Sequence, residues 1–135
     1  MKLLVDTSIW SIALRRSEVH NQALVAELEL LIKEVRVQLI GPIRQEILSG
    51  IKSEKQFLQL RNYLKAFPDY TIQTEDYELA ADYYNICRRK GIQGSNTDFL
   101  ICAVSSNHNW PIFTLDQDFY HFQRLIAFNI YKPRE

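Results

Sequence analysis

The sequence predicts an α/β domain built on a mainly parallel sheet. Short apolar, β-branched runs alternate with longer segments whose apolar residues recur at helical spacing. No repeat, low-complexity tract or linker interrupts the alternation over the 135 residues, a length that suits one domain spanning 1–135. A composition that is 47% hydrophobic, with only four Gly and four Pro, can fill a core and argues against disorder.

Lys2 to Val5 reads as a short buried strand, and Thr7 and Ser8 offer caps for a helix running to about Leu14. His20 to Glu34 carries Leu24, Leu28, Leu31 and Ile32 at helical spacing. Val37 to Ile40 is a second strand. Gly41-Pro42 then punctuates the chain, and Pro42 suits the first turn of a helix bearing Ile43, Ile47 and Leu48. Ser53 to Ala66 is a helix with an apolar stripe wide enough to remain partly uncovered. Tyr70 to Gln73 is a third strand. From Thr74 to about Lys90 a further helix carries Glu75 and Asp76 at its start and Arg88-Arg89-Lys90 at its end, both in accord with the helix dipole, while Thr74-x-x-Tyr77 offers no capping-box acid. Gly91 to Thr97 is a loop rich in cap formers, ahead of a helix that opens at Asp98 and is apolar nearly all round, hence central. Ile112 to Leu115 is a strand, Asp118 to Leu125 a short helix and Ala127 to Ile130 a last strand.

Sixteen basic residues balance sixteen acidic ones, so net charge gives no argument for nucleic-acid binding. The local basic spots, Arg15-Arg16 and Arg88-Arg89-Lys90, suit phosphate contacts or simply solvated helix ends. Trp10, Trp110 and Tyr83-Tyr84 read as core or interface residues rather than base-stacking platforms. His20, His108 and His121 lack metal spacing and are expected at the surface or at caps. Cys87 and Cys102 lack C-x-x-C spacing and are expected as buried free thiols. Neither a secretory signal nor a membrane-spanning run is present: the longest unbroken apolar stretch is Phe99 to Val104. A cytoplasmic protein is expected.

Four acids stand beside these apolar elements. Asp6 ends the first strand, Glu46 lies about one turn into the helix after the second, Asp98 opens the central helix, and Asp116 follows a late strand. In open α/β sheets, ligands bind beyond the carboxyl ends of the strands. All four acids therefore fall on one rim, where like charges repel and a hard divalent cation, Mg²⁺ or Mn²⁺, relieves them. Hydroxyls at Thr7, Ser8 and Thr114 could orient carboxylates or metal-bound water. Singly, each acid also has a plain explanation: Asp6 as an N-cap, Asp98 and Asp118 as dipole acids, Glu46 as a solvated helix residue.

The ordered set Leu4-Val5-Asp6-Thr7-Ser8, Ile43-x-x-Glu46-Ile47, Asp98-Phe99-x-Ile101-x-Ala103 and Thr114-x-Asp116-x-Asp118-Phe119 resembles the PIN-domain ribonucleases, above all the VapC-type toxins of toxin–antitoxin pairs. The resemblance runs from the first strand to the last. It implies a three-layer α/β/α sandwich with a central parallel sheet. It further implies Mg²⁺ or Mn²⁺ held by Asp6, Glu46, Asp98 and Asp116, with Thr7, Ser8, Thr114 and Asp118 in support. The implied activity is metal-dependent endoribonuclease cleavage of RNA, by a toxin that commonly dimerises and is silenced by a cognate antitoxin. Two alternatives remain: a catalytically silent PIN-like domain that binds RNA or protein, and a receiver-type protein, for which the expected late Lys is missing.

Overall fold

A computed structural model describes residues 1–15 and 22–134, with the Arg15 side chain excepted. The expected helix start at His20, and the Arg15-Arg16 pair as a basic spot, fall outside what is described.

The chain forms β1 (Leu3–Val5), α1 (Thr7–Arg15), α2 (Gln22–Lys33), β2 (Val37–Ile40), α3 (Gly41–Leu48) and α4 (Glu54–Leu64). It continues through β3 (Asp69–Tyr70), α5 (Thr74–Arg89), α6 (Asn96–His108), β4 (Ile112–Phe113) and α7 (Asp118–Gln123). The four strands are parallel throughout, in the order β3-β2-β1-β4, with Leu3 beside Val37, Val5 beside Phe113 and Ile40 beside Tyr70. Helices flank this sheet in an α/β sandwich, as expected. Parallel strands covered on both faces lose their polar alternation, and Leu3, Leu4 and Val5 accordingly show no exposed surface.

The strand order fixes the site. From β1 the chain steps outward through β2 and β3, then crosses to the other side of β1 for β4. The β1/β4 boundary is thus the topological switch point, where a crevice opens at the strand carboxyl ends. Asp6 follows β1 and Thr114 follows β4, directly at that boundary.

α6 packs against both strands that flank the crevice. Phe99 to Ser105 are all buried, in accord with the all-round apolarity of the sequence. α5 packs along α6, while α1 contacts α2 and α3. Cys87 and Cys102 are buried free thiols.

Several elements differ from expectation for identifiable reasons. β3 contains only Asp69–Tyr70 rather than Tyr70 to Gln73. The chain leaves the sheet early because the Gln73 N–H turns to Asp76 Oδ2 at 2.9 Å. A capping-box acid is therefore present after all: the frame begins at Gln73, not Thr74, and places Asp76 at the third helical position. Arg44 secures the same region. Its Nε donates to both Asp69 oxygens at 3.0 and 3.2 Å, and its terminal nitrogens donate to the Leu64 and Phe67 carbonyls at the end of α4.

α6 begins at Asn96, ahead of Asp98, with Ser95 as its N-cap. β4 stops at Phe113, and just beyond it the chain turns: the Asp116 N–H bonds the Thr114 hydroxyl at 2.9 Å rather than a strand carbonyl. The last expected strand shrinks to one parallel bridge, Ile112 to Ile130, held by Ile112 N–H to Asn129 O at 2.9 Å and Tyr131 N–H to Ile112 O at 2.7 Å. His108, expected at the surface or at a cap, stands in the last turn of α6 and is half-buried: it stacks on Trp110 with ring centroids 4.4 Å apart and meets the edge of Tyr70 at 4.5 Å.

Candidate functional site

Asp6 sits one residue past β1 and is buried. Burying a carboxylate requires donors, and two hydroxyls supply them. Ser8 Oγ and Thr114 Oγ1 each donate to Asp6 Oδ2 at 2.8 Å. Those hydroxyl oxygens in turn accept backbone N–H groups, Leu115 N on Ser8 at 3.0 Å and Asp116 N on Thr114 at 2.9 Å. Two hydroxyl relays thus fasten the turn after β4 to the residue after β1.

Asp116 is placed by the same relay, and its Oδ1 accepts the Asp118 N–H at 2.9 Å, which starts α7. Asp118 is exposed, and its backbone rather than its carboxylate makes this contact. Asp98 stands at the third position of α6. Its Oδ2 accepts the Ser95 N–H at 3.1 Å, while its own N–H donates to Ser95 Oγ at 3.0 Å. Glu46, exposed on α3, receives the Thr7 hydroxyl on Oε1 at 3.3 Å.

These acids feel one another. Although Glu46 is exposed as a residue, its carboxyl is partly desolvated at the rim, and this pushes it above its ordinary value. The Thr7 bond opposes this, and the charges on Asp6 and Asp98 push further upward. Burial likewise raises Asp98. Hydrogen bonding at Ser95 opposes the rise, and the charges of Asp116 and Asp6 add to it. The four sequence-selected acids are therefore brought into one electrostatic neighbourhood.

A common pattern runs through the four. Each engages one carboxylate oxygen with a protein donor: Oδ2 of Asp6 and Asp98, Oδ1 of Asp116, Oε1 of Glu46. The second oxygen of each accepts no hydrogen bond among the described residues. Hard oxygen donors with negative charge in excess are the ligand chemistry of Mg²⁺ and Mn²⁺, so the residues fit such an ion. The arrangement is not a finished cage, however. Among the described residues, no three Asp, Glu, His or Cys side chains stand ready to grip one ion.

The sequence marks Ser95 as one of three possible caps for the helix at Asp98, but not as the residue that holds that acid. Its signal was the cap-forming run Ser95-Asn96-Thr97, read without the register that makes Asp98 its capping-box partner. Elsewhere, the expected basic cluster is partly engaged: Arg88 Nη1 donates to Tyr84 Oη at 2.8 Å and the guanidinium lies over that ring. Trp10, Tyr83 and Trp110 are buried or half-buried, in accord with core roles. A groove of about 1000 Å³ opens between α1, α2 and α4, lined in part by Trp10, Val25, Ile32, Ile51, Leu60 and Tyr63. The partly uncovered stripe expected on residues 53–66 is one wall of it.

The PIN domain family model matches residues 3–125, and the chain belongs to that family. Solved structures share the fold. FitAcB from Neisseria gonorrhoeae aligns with a TM-score of 0.73 at 22% identity, over 94% of this chain and 96% of that one. VapBC2 from Rickettsia felis, bound to a DNA fragment from its promoter, aligns at 0.72 and 18% identity, over 97% and 98%. A toxin–antitoxin complex from Klebsiella pneumoniae aligns at 0.66 and 17%, over 96% and 100%. No curated protein matches the chain by sequence. None of the described helices is long and apolar enough to cross a membrane.

Proposed function

We propose that this chain is a divalent-metal-dependent endoribonuclease, one PIN domain over residues 1–135, acting in the cytoplasm as the toxin of a toxin–antitoxin pair. The observation that carries the proposal is the set of four mutually repelling carboxylates at the β1/β4 switch point, each with one oxygen lacking a hydrogen-bond donor among the described residues. A binding-only domain has no need of such a charge concentration.

Asp6, Glu46, Asp98 and Asp116 would hold Mg²⁺ or Mn²⁺, which supplies Lewis acidity toward phosphate and a nucleophilic water at neutral pH. The chain's own residues orient this set. Ser8 and Thr114 hold Asp6, Thr7 steadies Glu46, Ser95 steadies Asp98, and Asp118 fixes Asp116 through its backbone N–H. The substrate would be an RNA phosphodiester laid across the crevice.

The groove between α1, α2 and α4 suits an amphipathic segment of the antitoxin, in keeping with the toxin–antitoxin assemblies among the structural neighbours. A homodimer is proposed as well, and light scattering of the purified protein reads it directly. Asp6→Asn is the test of function: cleavage of a labelled RNA in Mg²⁺ should fall to background in a folded protein. Wild-type cleavage by Asp6→Asn, with contaminating nuclease excluded, would sink the proposal.

A further inference from the structure

Gly94 has no conformational reason to be glycine. Positive φ occurs at Gly50 (81°) and Gly91 (74°), where an added Cβ would meet nothing within 4 Å. Gly94 is the reverse case: its backbone has no positive φ, and its space is taken. A Cβ there would stand 2.6 Å from Phe122 Cζ, 2.9 Å from Phe99 Cε2 and 3.0 Å from Phe122 Cε1. Those rings cannot swing aside, because Phe122 is 0% and Phe99 1% exposed. They pack on each other at 4.7 Å, and Phe119 closes on Phe122 at 5.5 Å. The loop backbone therefore lies flush on the Phe122 ring, with no slack for one methyl.

The two sides of this contact carry different acids. Gly94 immediately precedes Ser95, whose N–H and hydroxyl hold Asp98. Phe122 belongs to α7, whose start is fixed by Asp116 Oδ1 on the Asp118 N–H. A lift of the loop from the ring would shift the Ser95 groups that hold Asp98, while Asp116 stays tied to the start of α7.

We propose that Gly94 and Phe122 form a spacer that sets the separation of Asp98 from Asp116, and so are positioning residues for the ion. The inference rests on the metal-site reading above. It adds two residues that carry no ligand chemistry and lie outside the acid motifs.

The test uses full-length protein and Mn²⁺ alone, without RNA, so that affinity is read independently of cleavage. Gly94→Ala should weaken Mn²⁺ binding about tenfold, in the range seen when groups that orient ligands are altered. Protection of the Ser95–Phe99 amides against hydrogen exchange should fall with it. Gly94→Ala with Phe122→Leu, which removes the two Phe122 contacts and leaves only the one with Phe99 Cε2 at 2.9 Å, should recover part of the affinity. A purely structural role would lower thermal stability and leave Mn²⁺ affinity unchanged. Should Gly94→Ala not fold, Phe122→Ala loosens the same contact and should weaken Mn²⁺ binding.

Wild-type Mn²⁺ affinity in Gly94→Ala, or a double variant no better than the single, overturns the spacer while leaving the nuclease reading intact. If Gly94→Ala cannot be made, unchanged affinity in Phe122→Ala does the same. A wild type that neither binds Mn²⁺ nor cuts RNA overturns both.

Discussion

Thr114 Oγ1 donates to Asp6 Oδ2 at 2.8 Å while accepting the Asp116 N–H at 2.9 Å. One hydroxyl thereby locks together two acids that follow adjacent strands at the switch point. Thr114→Val keeps the shape but removes both bonds, leaving Asp6 with a single donor, Ser8, and the Asp116 N–H without its acceptor. RNA cleavage should fall by about ten- to a hundredfold, whereas Thr114→Ser should retain most of it. Equal rates for Thr114→Val and wild type would show that this hydroxyl does not orient the site.

Glu46 illustrates the conflict between site and stability. Its carboxyl is pushed up by partial desolvation and, beyond the opposing Thr7 bond, by the charges on Asp6 and Asp98. A raised folded value means that ionised Glu46 destabilises the metal-free fold. The penalty is absent below the unfolded value and grows as pH rises through the folded value. Metal-free Glu46→Gln should therefore melt above wild type at pH 7, and the gain should vanish near pH 4. A lower melting temperature for Glu46→Gln at pH 7 would contradict the repulsion.

Asp76 behaves oppositely. Burial pushes it up, but bonds from Asn107 Nδ2 at 2.8 Å, Tyr70 Oη at 2.6 Å and the Gln73 N–H at 2.9 Å prevail and hold it below its ordinary value. Its contribution is present above the unfolded value and is lost as pH falls through the folded one. Wild type should lose stability below about pH 4, and Asp76→Asn should be less stable than wild type at pH 7 with a flatter acid limb. An unchanged acid limb in Asp76→Asn would assign the loss elsewhere.

Val35 closes the turn after α2 with φ 57°, a left-handed conformation that penalises β-branched residues, and it is 79% exposed. Since it packs against little, Val35→Gly should stabilise the protein by about 1 kcal/mol, measured by urea unfolding. Destabilisation would mean that the valine makes contacts worth more than its strain.

The legible part of this molecule was whatever depends on period and residue type. Leu3-Leu4-Val5 and Phe99 to Val104 announced a buried strand and a central helix, and the four acids stood out against such neighbours. Register and strand order were not legible. Asp76 and Asp98 are both capping-box acids, yet their partners Gln73 and Ser95 are set by where the helix begins, to within one residue. The β1/β4 switch point depends on which strands pair, a long-range choice that no local run encodes. Gly94 was invisible for the same reason: its neighbour Phe122 lies 28 positions away, and only packing brings them together.

The central claim is that Asp6, Glu46, Asp98 and Asp116 share one divalent-ion site. Crystals of wild type grown with Mn²⁺, measured with anomalous scattering at the manganese edge, test it most directly. A peak within coordination distance of at least Asp6 and two of the other three acids, absent in Asp6→Asn, is the expected result. A manganese-loaded crystal with no peak among them, or with peaks only elsewhere on the surface, would contradict it.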